Sequence, residues 1–286
     1  MIKTVEKGRE TMVQFHAEKA SEHATRIYGL AGEQMYLVEG AQRAALIDTG
    51  SGAGSLRQYV ETLTDKPVIV LLTHGHVDHA MGAPEFDTVY MNREDDYIYE
   101  QHCGLEVRKR FLSQAPEFEK VAEEDYIPVT PPDAFLDMKE GDVFDLGGIS
   151  IEIYACPGHT RGSVCMLIIE ERTFITGDAC NGFTFLFDAY STGLSTYEKN
   201  LRGLKARTAG KFDRVYLSHG PGRDYPVSLL DEVLEVCEDI KSGNVDDIPF
   251  ESRGRKAHIA KALSKEGGRP DGKIGNIVYN RERIEE

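Results

Sequence analysis

The chain has 286 residues, of which 41% are hydrophobic and 28% charged, so it carries enough apolar material to bury a sizeable core and too much for a disordered or collagen-like protein. Asp and Glu outnumber Lys and Arg by 48 to 33, a net charge of −15, which makes nucleic acid and anionic membrane poor partners and a small-molecule substrate the expected one. The longest apolar runs, 68–72 and 164–169, fall far short of the roughly 18 residues of a membrane-spanning helix. Residues 1–10 show charges with no apolar stretch or cleavage site behind them, so no signal peptide is expected and the cytoplasm is the expected location. Five cysteines (Cys103, Cys156, Cys165, Cys180, Cys237), odd in number and without close pairing, suit reduced, buried thiols.

In chain order, runs rich in β-branched and aromatic residues predict strands at 25–30, 35–38 and 44–47. The glycine cluster at 50–54 lacks both the G-x-G-x-x-G register and a Gly-Lys-Ser/Thr ending, so it reads as a turn feeding a helix over 54–63. A strand at 68–72 follows. Residues 92–132 turn acidic and helical, with Tyr97, Tyr99, Leu105, Phe111, Leu112, Phe118 and Val121 available to pack, and end in Thr130-Pro131-Pro132. This is read as a helical insertion, either a stabilising decoration or a lid or substrate wall. Strands at 149–155, 164–169 and 215–217 then alternate with helices at 195–206 and 227–240, the last with Leu229, Leu230, Val233, Leu234 and Val236 at helical spacing. The fold class is mixed α/β (α+β), sheets covered by helices, as a single domain over 1–286 with a basic C-terminal extension at about 244–286. From residue 251 onward nine Lys or Arg face six Asp or Glu, which suggests docking within the chain or on a neighbour. Residues 275–279 read as a strand able to join a partner's sheet edge, so a homodimer is expected.

The strongest chemical signal is Thr73-His74-Gly75-His76-Val77-Asp78-His79, directly after the strand at 68–72. On an extended chain His74 and His76 share a face and can reach one metal, while Asp78 and His79, farther along the turn, can reach a second. Three further strand ends carry one ligand type beside a glycine: Gly158-His159, Gly177-Asp178 and His219-Gly220. Together they supply five histidines and two aspartates for two adjacent ions, with Asp178 able to bridge. Imidazoles and carboxylates without a thiolate suit two Zn²⁺, with Fe or Mn as alternatives, and leave positions for water. A water shared by two dications becomes hydroxide near neutral pH, so no Ser or Cys nucleophile is required.

This H-x-H-x-D-H element, followed by single His, Asp and His ligands in that order, resembles the metallo-β-lactamase fold superfamily, and Ile47-Asp48-Thr49-Gly50 matches its early D-x-G turn. The resemblance implies a four-layer αββα sandwich. It assigns His74, His76 and His159 to the first metal, Asp78, His79 and His219 to the second and Asp178 to the bridge, with Asp78 and Asp178 as catalytic carboxylates and Asp48 and Thr73 behind the ligands. Within the superfamily the motifs are closest to glyoxalase II-like hydrolases and lactonases, which implies cleavage of a small thioester or ester by a metal-bridging hydroxide. The zinc β-lactamases mostly place Cys where this chain has Asp178. The acyl-homoserine lactonases place a Tyr where it has Asn181, so a lactonase would draw its oxyanion donor from elsewhere, with Tyr190 as the candidate. The glutathione-binding basic residues of glyoxalase II do not align securely with Arg253, Arg255 and Lys256, and the acidic body argues against the RNA-cleaving branch. Persulfide dioxygenases, which hold one Fe by two His and one Asp, remain the alternative from another enzyme class. His76 speaks against the flavodiiron branch. The substrate pocket is expected between the insertion, with Tyr97, and residues 181–190, with Asn181, Phe183, Phe185, Phe187 and Tyr190. Cys180 is expected to be a packed thiol, and His16, His23, His102 and His258 to have no role.

Overall fold

The computed structural model describes residues 13–286 apart from Glu117, Arg253 and Glu266, so the stretch read for a signal peptide and one member of the 253–256 basic cluster lie outside the described residues. The first sheet runs β1 (His16–Lys19), β2 (Ala24–Tyr28), β3 (Gln34–Glu39), β4 (Ala44–Ile47), β5 (Val68–Leu71), β6 (Val89–Met91) and β7 (Leu136–Asp137) in that spatial order. Strands β1 to β4 are antiparallel neighbours, whereas β4 to β7 are parallel and need crossovers. One crossover is α1 (Leu56–Leu63), capped by Ser55; another is the insertion, which holds α2 (Asp96–His102), α3 (Leu105–Leu112) and several 3₁₀ turns.

The second sheet contains β8 (Val143–Asp145), β9 (Ser150–Ala155), β10 (Val164–Ile168) and β11 (Thr173–Ile175); the chain then leaves it through β12 (Thr184–Leu186) and α4 (Leu194–Thr208) and returns as β13 (Arg214–Tyr216). Its order is β13-β11-β10-β9-β8. The two sheets face each other through Val38, Ala45, Ile47 and Leu71 on one side and Ile151, Ile153, Met166 and Ile175 on the other. The outer face of the first sheet, with Leu37, Leu46 and Val70, packs on α1 and the base of α2. The outer face of the second, with Leu167 and Phe174, packs on α4 and α5 (Leu229–Ser242). The layers are therefore helix, sheet, sheet, helix. Double coverage explains why β4 and β10 are buried at every residue and read as continuous apolar runs instead of alternating ones.

A third sheet, of order β12-β16-β15-β14, is not foreseen by the sequence reading; it adds β14 (Ile248–Ser252), β15 (Arg255–Ile259) and β16 (Ile277–Tyr279) to β12. It corrects the expectation for residues 275–279. Strand β16 is hydrogen-bonded to β12 on one side and β15 on the other, so both its edges are filled within the chain, and its three residues are buried. The basic extension docks by charge on the acidic body, with Lys261 2.6 Å from Asp239 of α5 and Lys273 2.5 Å from Glu235, and Arg281 pairs with Asp247 within the extension itself. The insertion is anchored too. Arg108 of α3, nearly fully buried, donates to the carbonyls of Ser51, Gly52 and Ile127 and so clasps the glycine turn, where Gly50, Gly52 and Gly54 all take positive φ. Among the described residues no helix is long and apolar enough to cross a membrane.

Candidate metal centre

All seven expected ligands follow strands of the two central sheets: His74, His76, Asp78 and His79 after β5, His159 after β9, Asp178 after β11 and His219 after β13. The sandwich brings these ends to one edge, and the side chains converge. His76 Nδ1 lies 3.1 Å from His74 Nε2 and 2.8 Å from His159 Nε2. Beside this trio, His79 Nε2 is 3.3 Å from His219 Nε2, and Asp78 Oδ2 is 3.8 and 3.4 Å from those two nitrogens. Asp178 stands between the groups, with Oδ2 3.6 Å from His159 Nε2 and 3.7 Å from His79 Nε2, and Oδ1 3.4 Å from His219 Nε2. Tetrahedral bonds of about 2.05 Å put neighbouring ligand atoms about 3.3 Å apart, between the 2.8–3.1 Å of the first group and the 3.3–3.8 Å of the second. The donor atoms of each group lie within 4.8 Å of one another, so the donor set fits a metal ion there.

The opposite ring nitrogens of His74, His79 and His159 are held from behind, which fixes the tautomers of these three. His159 Nδ1–H donates to the Phe185 carbonyl at 2.9 Å, and His79 Nδ1–H to Asp48 Oδ2 at 2.8 Å. His74 Nδ1 is 3.0 Å from Thr73 Oγ1, whose own hydrogen goes to Asp48, 2.8 Å away at Oδ2. The Thr73 amide also donates to Asp48 Oδ1 at 2.7 Å. Asp48 and Thr73 thus lie behind His74 and His79, and Asp48 does so at φ +62°, a left-handed conformation for which a non-glycine residue needs a reason.

Burial, then the neighbouring imidazoles, holds His74 and His76 well below the usual histidine range. Burial pulls the same way on His79 and His219 but is outweighed by carboxylates. Asp48, Asp78 and Asp178 lift His79 well above that range, and Asp178 with Asp78 lifts His219 to about 9. Burial would raise the Asp178 carboxyl, yet the His219 and His79 cations hold it well below the carboxylate range.

Above the ligands opens a cavity of about 1240 Å³, with His76, Asp78, His159, Asp178 and His219 on its floor. Of the expected pocket residues, Asn181, Phe185 and Tyr190 line it, together with Phe183 and Phe187. Asn181 Nδ2–H also reaches Asp178 Oδ1 at 3.2 Å and steadies it. Tyr97 is not on this wall: its ring packs against Tyr190, centroids 6.1 Å apart, because α2 places Gln101 and His102, not Tyr97, over the cavity. Tyr190 is a junction whose ring meets His76 at 5.7 Å and lies under the Arg255 guanidinium, and whose hydroxyl donates to Gln101 Oε1 at 3.1 Å. His102, read as without a role, stacks on the His76 ring at 5.0 Å and lines the cavity. Nothing in its sequence neighbourhood marks it. Arg110 and Arg223 line the cavity as well, as do Arg255, Arg269 and Lys273, whose charges are met by Asp188, Asp271 and Glu235. Cys180 is fully buried in the core on the α4–α5 side, where burial pushes its thiol well up, so it is the packed thiol expected.

Residues 29–219 match the metallo-beta-lactamase superfamily. The chain belongs to this family. The metallo-beta-lactamase superfamily comprises metal-dependent hydrolases, and the relatives found include two hydrolases matched over about half of this chain. An uncharacterized protein of Mycobacterium bovis is 31% identical over 199 residues, 67% of this chain and 74% of that protein. The hydroxyacylglutathione hydrolase GloC of Haemophilus influenzae is 32% identical over 143 residues, 48% of this chain and 61% of its own. An acyl-coenzyme A thioesterase of Gallus gallus is 30% identical over 159 residues, 50% and 56% of the two chains. Among solved structures, the metallo-beta-lactamase FIM-1 from Pseudomonas aeruginosa in its mono-zinc form superposes with a TM-score of 0.57 at 17% identity, covering 79% of this chain and 96% of that one. That likeness concerns the fold.

Proposed function

We propose that this metallo-beta-lactamase superfamily member hydrolyses a thioester, using two zinc ions held by the His74–His76–His159 and Asp78–His79–His219 groups with Asp178 between them. The observation that carries the reading is the cavity above the ligands. At about 1240 Å³ it exceeds the roughly 300–1,000 Å³ of an ordinary small-ligand site, and its walls divide into the aromatic trio Phe183, Phe185 and Phe187 and the cations Arg110 and Arg223. An aromatic wall suits an acyl chain; a cationic one suits a leaving thiol that is larger than the acyl group and negatively charged. The names of the two hydrolase relatives, one acting on an acyl-coenzyme A and one on a hydroxyacylglutathione, support the thioester over other esters. Bound ions would supply an activated water and a Lewis acid for the carbonyl oxygen. The chain's own part is to hold the imidazoles in one tautomer through Asp48, Thr73 and the Phe185 carbonyl, to steady Asp178 through Asn181, and to bury the acyl group away from bulk water.

The test is metal content by plasma mass spectrometry on protein purified without added metal or chelator, followed by a panel of coenzyme A thioesters, glutathione thioesters and lactones. The expected result is about two zinc ions per chain and a kcat/KM for a thioester at least a hundredfold above any lactone, with KM raised by Phe185→Ala. Preference for a lactone would replace the thioester by a cyclic ester. About one iron per chain with O₂ uptake on glutathione persulfide would make the protein a dioxygenase.

A further inference from the structure

Asp95 is fully buried and ends the 3₁₀ turn that leads from β6 into α2, at the very base of the insertion. It occupies the N-cap position of α2, where a carboxylate ordinarily accepts hydrogen bonds from the amides of the first helical turn, but its side chain makes no such bond. It turns the other way. Oδ2 accepts from the Gly75 amide at 2.9 Å and from the Thr160 hydroxyl at 2.7 Å, and Oδ1 accepts from the Gly162 amide at 2.7 Å. Gly75 lies between His74 and His76, and Thr160 follows His159. One carboxyl group therefore ties together, through three hydrogen bonds, the two separate loops that carry the first donor group. The approach is close enough to require the glycines: a Cβ on Gly75 would fall 2.9 Å from the Asp95 carbonyl oxygen, and one on Gly162 would fall 2.7 Å from Asp95 Cγ. The second donor group is not tied this way; its support is Asp48 behind His79.

We infer that Asp95 is a positioning residue for the His74–His76–His159 group, and that through it the insertion is part of the metal centre and not only a wall beside it. The inference rests on the two-metal reading but not on the choice of substrate. An acid at the start of a helix reads from sequence as a cap. What reveals its role is that its side chain turns away from its own helix, which Asn92 caps one turn earlier, to bond loops 20 and 65 residues away.

The experiment is Asp95→Asn in the full chain, read by zinc affinity in chelator competition and by the visible spectrum of the cobalt-substituted protein. His159→Ala identifies which equivalent belongs to the first group, and Glu94→Gln, an exposed acid on the same turn, is the control. The expected result is a selective 10- to 100-fold weakening of the equivalent lost in His159→Ala, with an altered cobalt spectrum and the other equivalent within about twofold of wild type. Thr160→Val, which deletes one of the three donors, should weaken the same equivalent by a smaller factor, and it decides the matter if Asp95→Asn does not fold. Equal weakening of both equivalents would assign Asp95 a general structural role, and no weakening of either would remove it from the metal centre. Either result overturns the inference. Neither readout involves substrate, so failure of the thioester reading would leave these outcomes unchanged.

Discussion

The two donor groups share Asp178 and a cavity floor, yet their histidines hold protons differently. In the first, made of imidazoles alone, His74 and His76 are buried beside other imidazoles and shed theirs. The second mixes imidazoles with carboxylates, and its histidines keep theirs. The difference teaches that a donor set is not specified by its ligand types alone. Whether a cation finds the site empty or must first evict protons depends on how many negative groups stand around each ring.

The largest expected effect comes from the residue the groups share. Asp178→Ala should lower kcat/KM by roughly a thousandfold or more, since polarisation by the ions is worth several kcal/mol, and should release both equivalents on dialysis. Retention of both would sink the assignment. His76→Ala and His219→Ala separate the groups: each should lose one equivalent and keep the other, as read by metal content after gel filtration, with activity falling in both. If His76→Ala kept full metal and activity, the first group would be misassigned.

Asp48→Asn is milder, because Asn accepts the left-handed backbone that Asp48 adopts and keeps one acceptor for Thr73 or His79. It should weaken metal binding 10- to 100-fold, with the equivalent at His79 affected more. The smallest effect is one of pH on the metal-free protein. Because His219 is raised to about 9 and His79 is raised as well, the second group carries protons at neutral pH, and each proton displaced costs about tenfold in affinity per pH unit below that value. In the first group His74 and His76, both lowered, have no proton to displace until the solution is well into the acid range. Chelator competition between pH 8 and pH 6 should therefore show one steep and one shallow equivalent. Two equal slopes would erase the contrast.

Much of the scaffold and the ligand set is legible in the sequence, for a common reason. Strands buried on both faces give unbroken apolar runs, as in 44–47 and 164–168, and four of the seven candidate ligands follow directly on the apolar strand at 68–71, where His, Asp and Gly stand out. What supports the ligands is harder to see. Asp48 and Thr73 adjoin strands that are themselves visible, but Asp95 and Arg108 act on loops far away in sequence and look like an ordinary helix cap and an ordinary helix cation. Strands β6, β8, β11 and β12 are three residues each, too short for any period to register, and β14 and β15 are half-exposed strands with little apolar content, so the third sheet and the burial of β16 escaped the reading. Tyr97 illustrates the converse: an aromatic in the right segment lands on the wrong side of α2, because helix phase decides which side chain faces the cavity.

The pairing of β12 with β16 joins residues about ninety positions apart, whereas the β1–β4 ribbon closes across short turns. Long closures cost more chain entropy before their contacts form, so the ribbon should assemble early and the β12–β16 pair late. Phe185, whose carbonyl orients His159, sits in the middle of β12. During refolding, recovery of tight metal binding should therefore lag behind recovery of far-ultraviolet ellipticity, and simultaneous recovery would show that β12 is set without its distant neighbour. A chain folding in this order would hold its sandwich before it could hold its metals, and would spend that interval as a nearly finished protein with no chemistry.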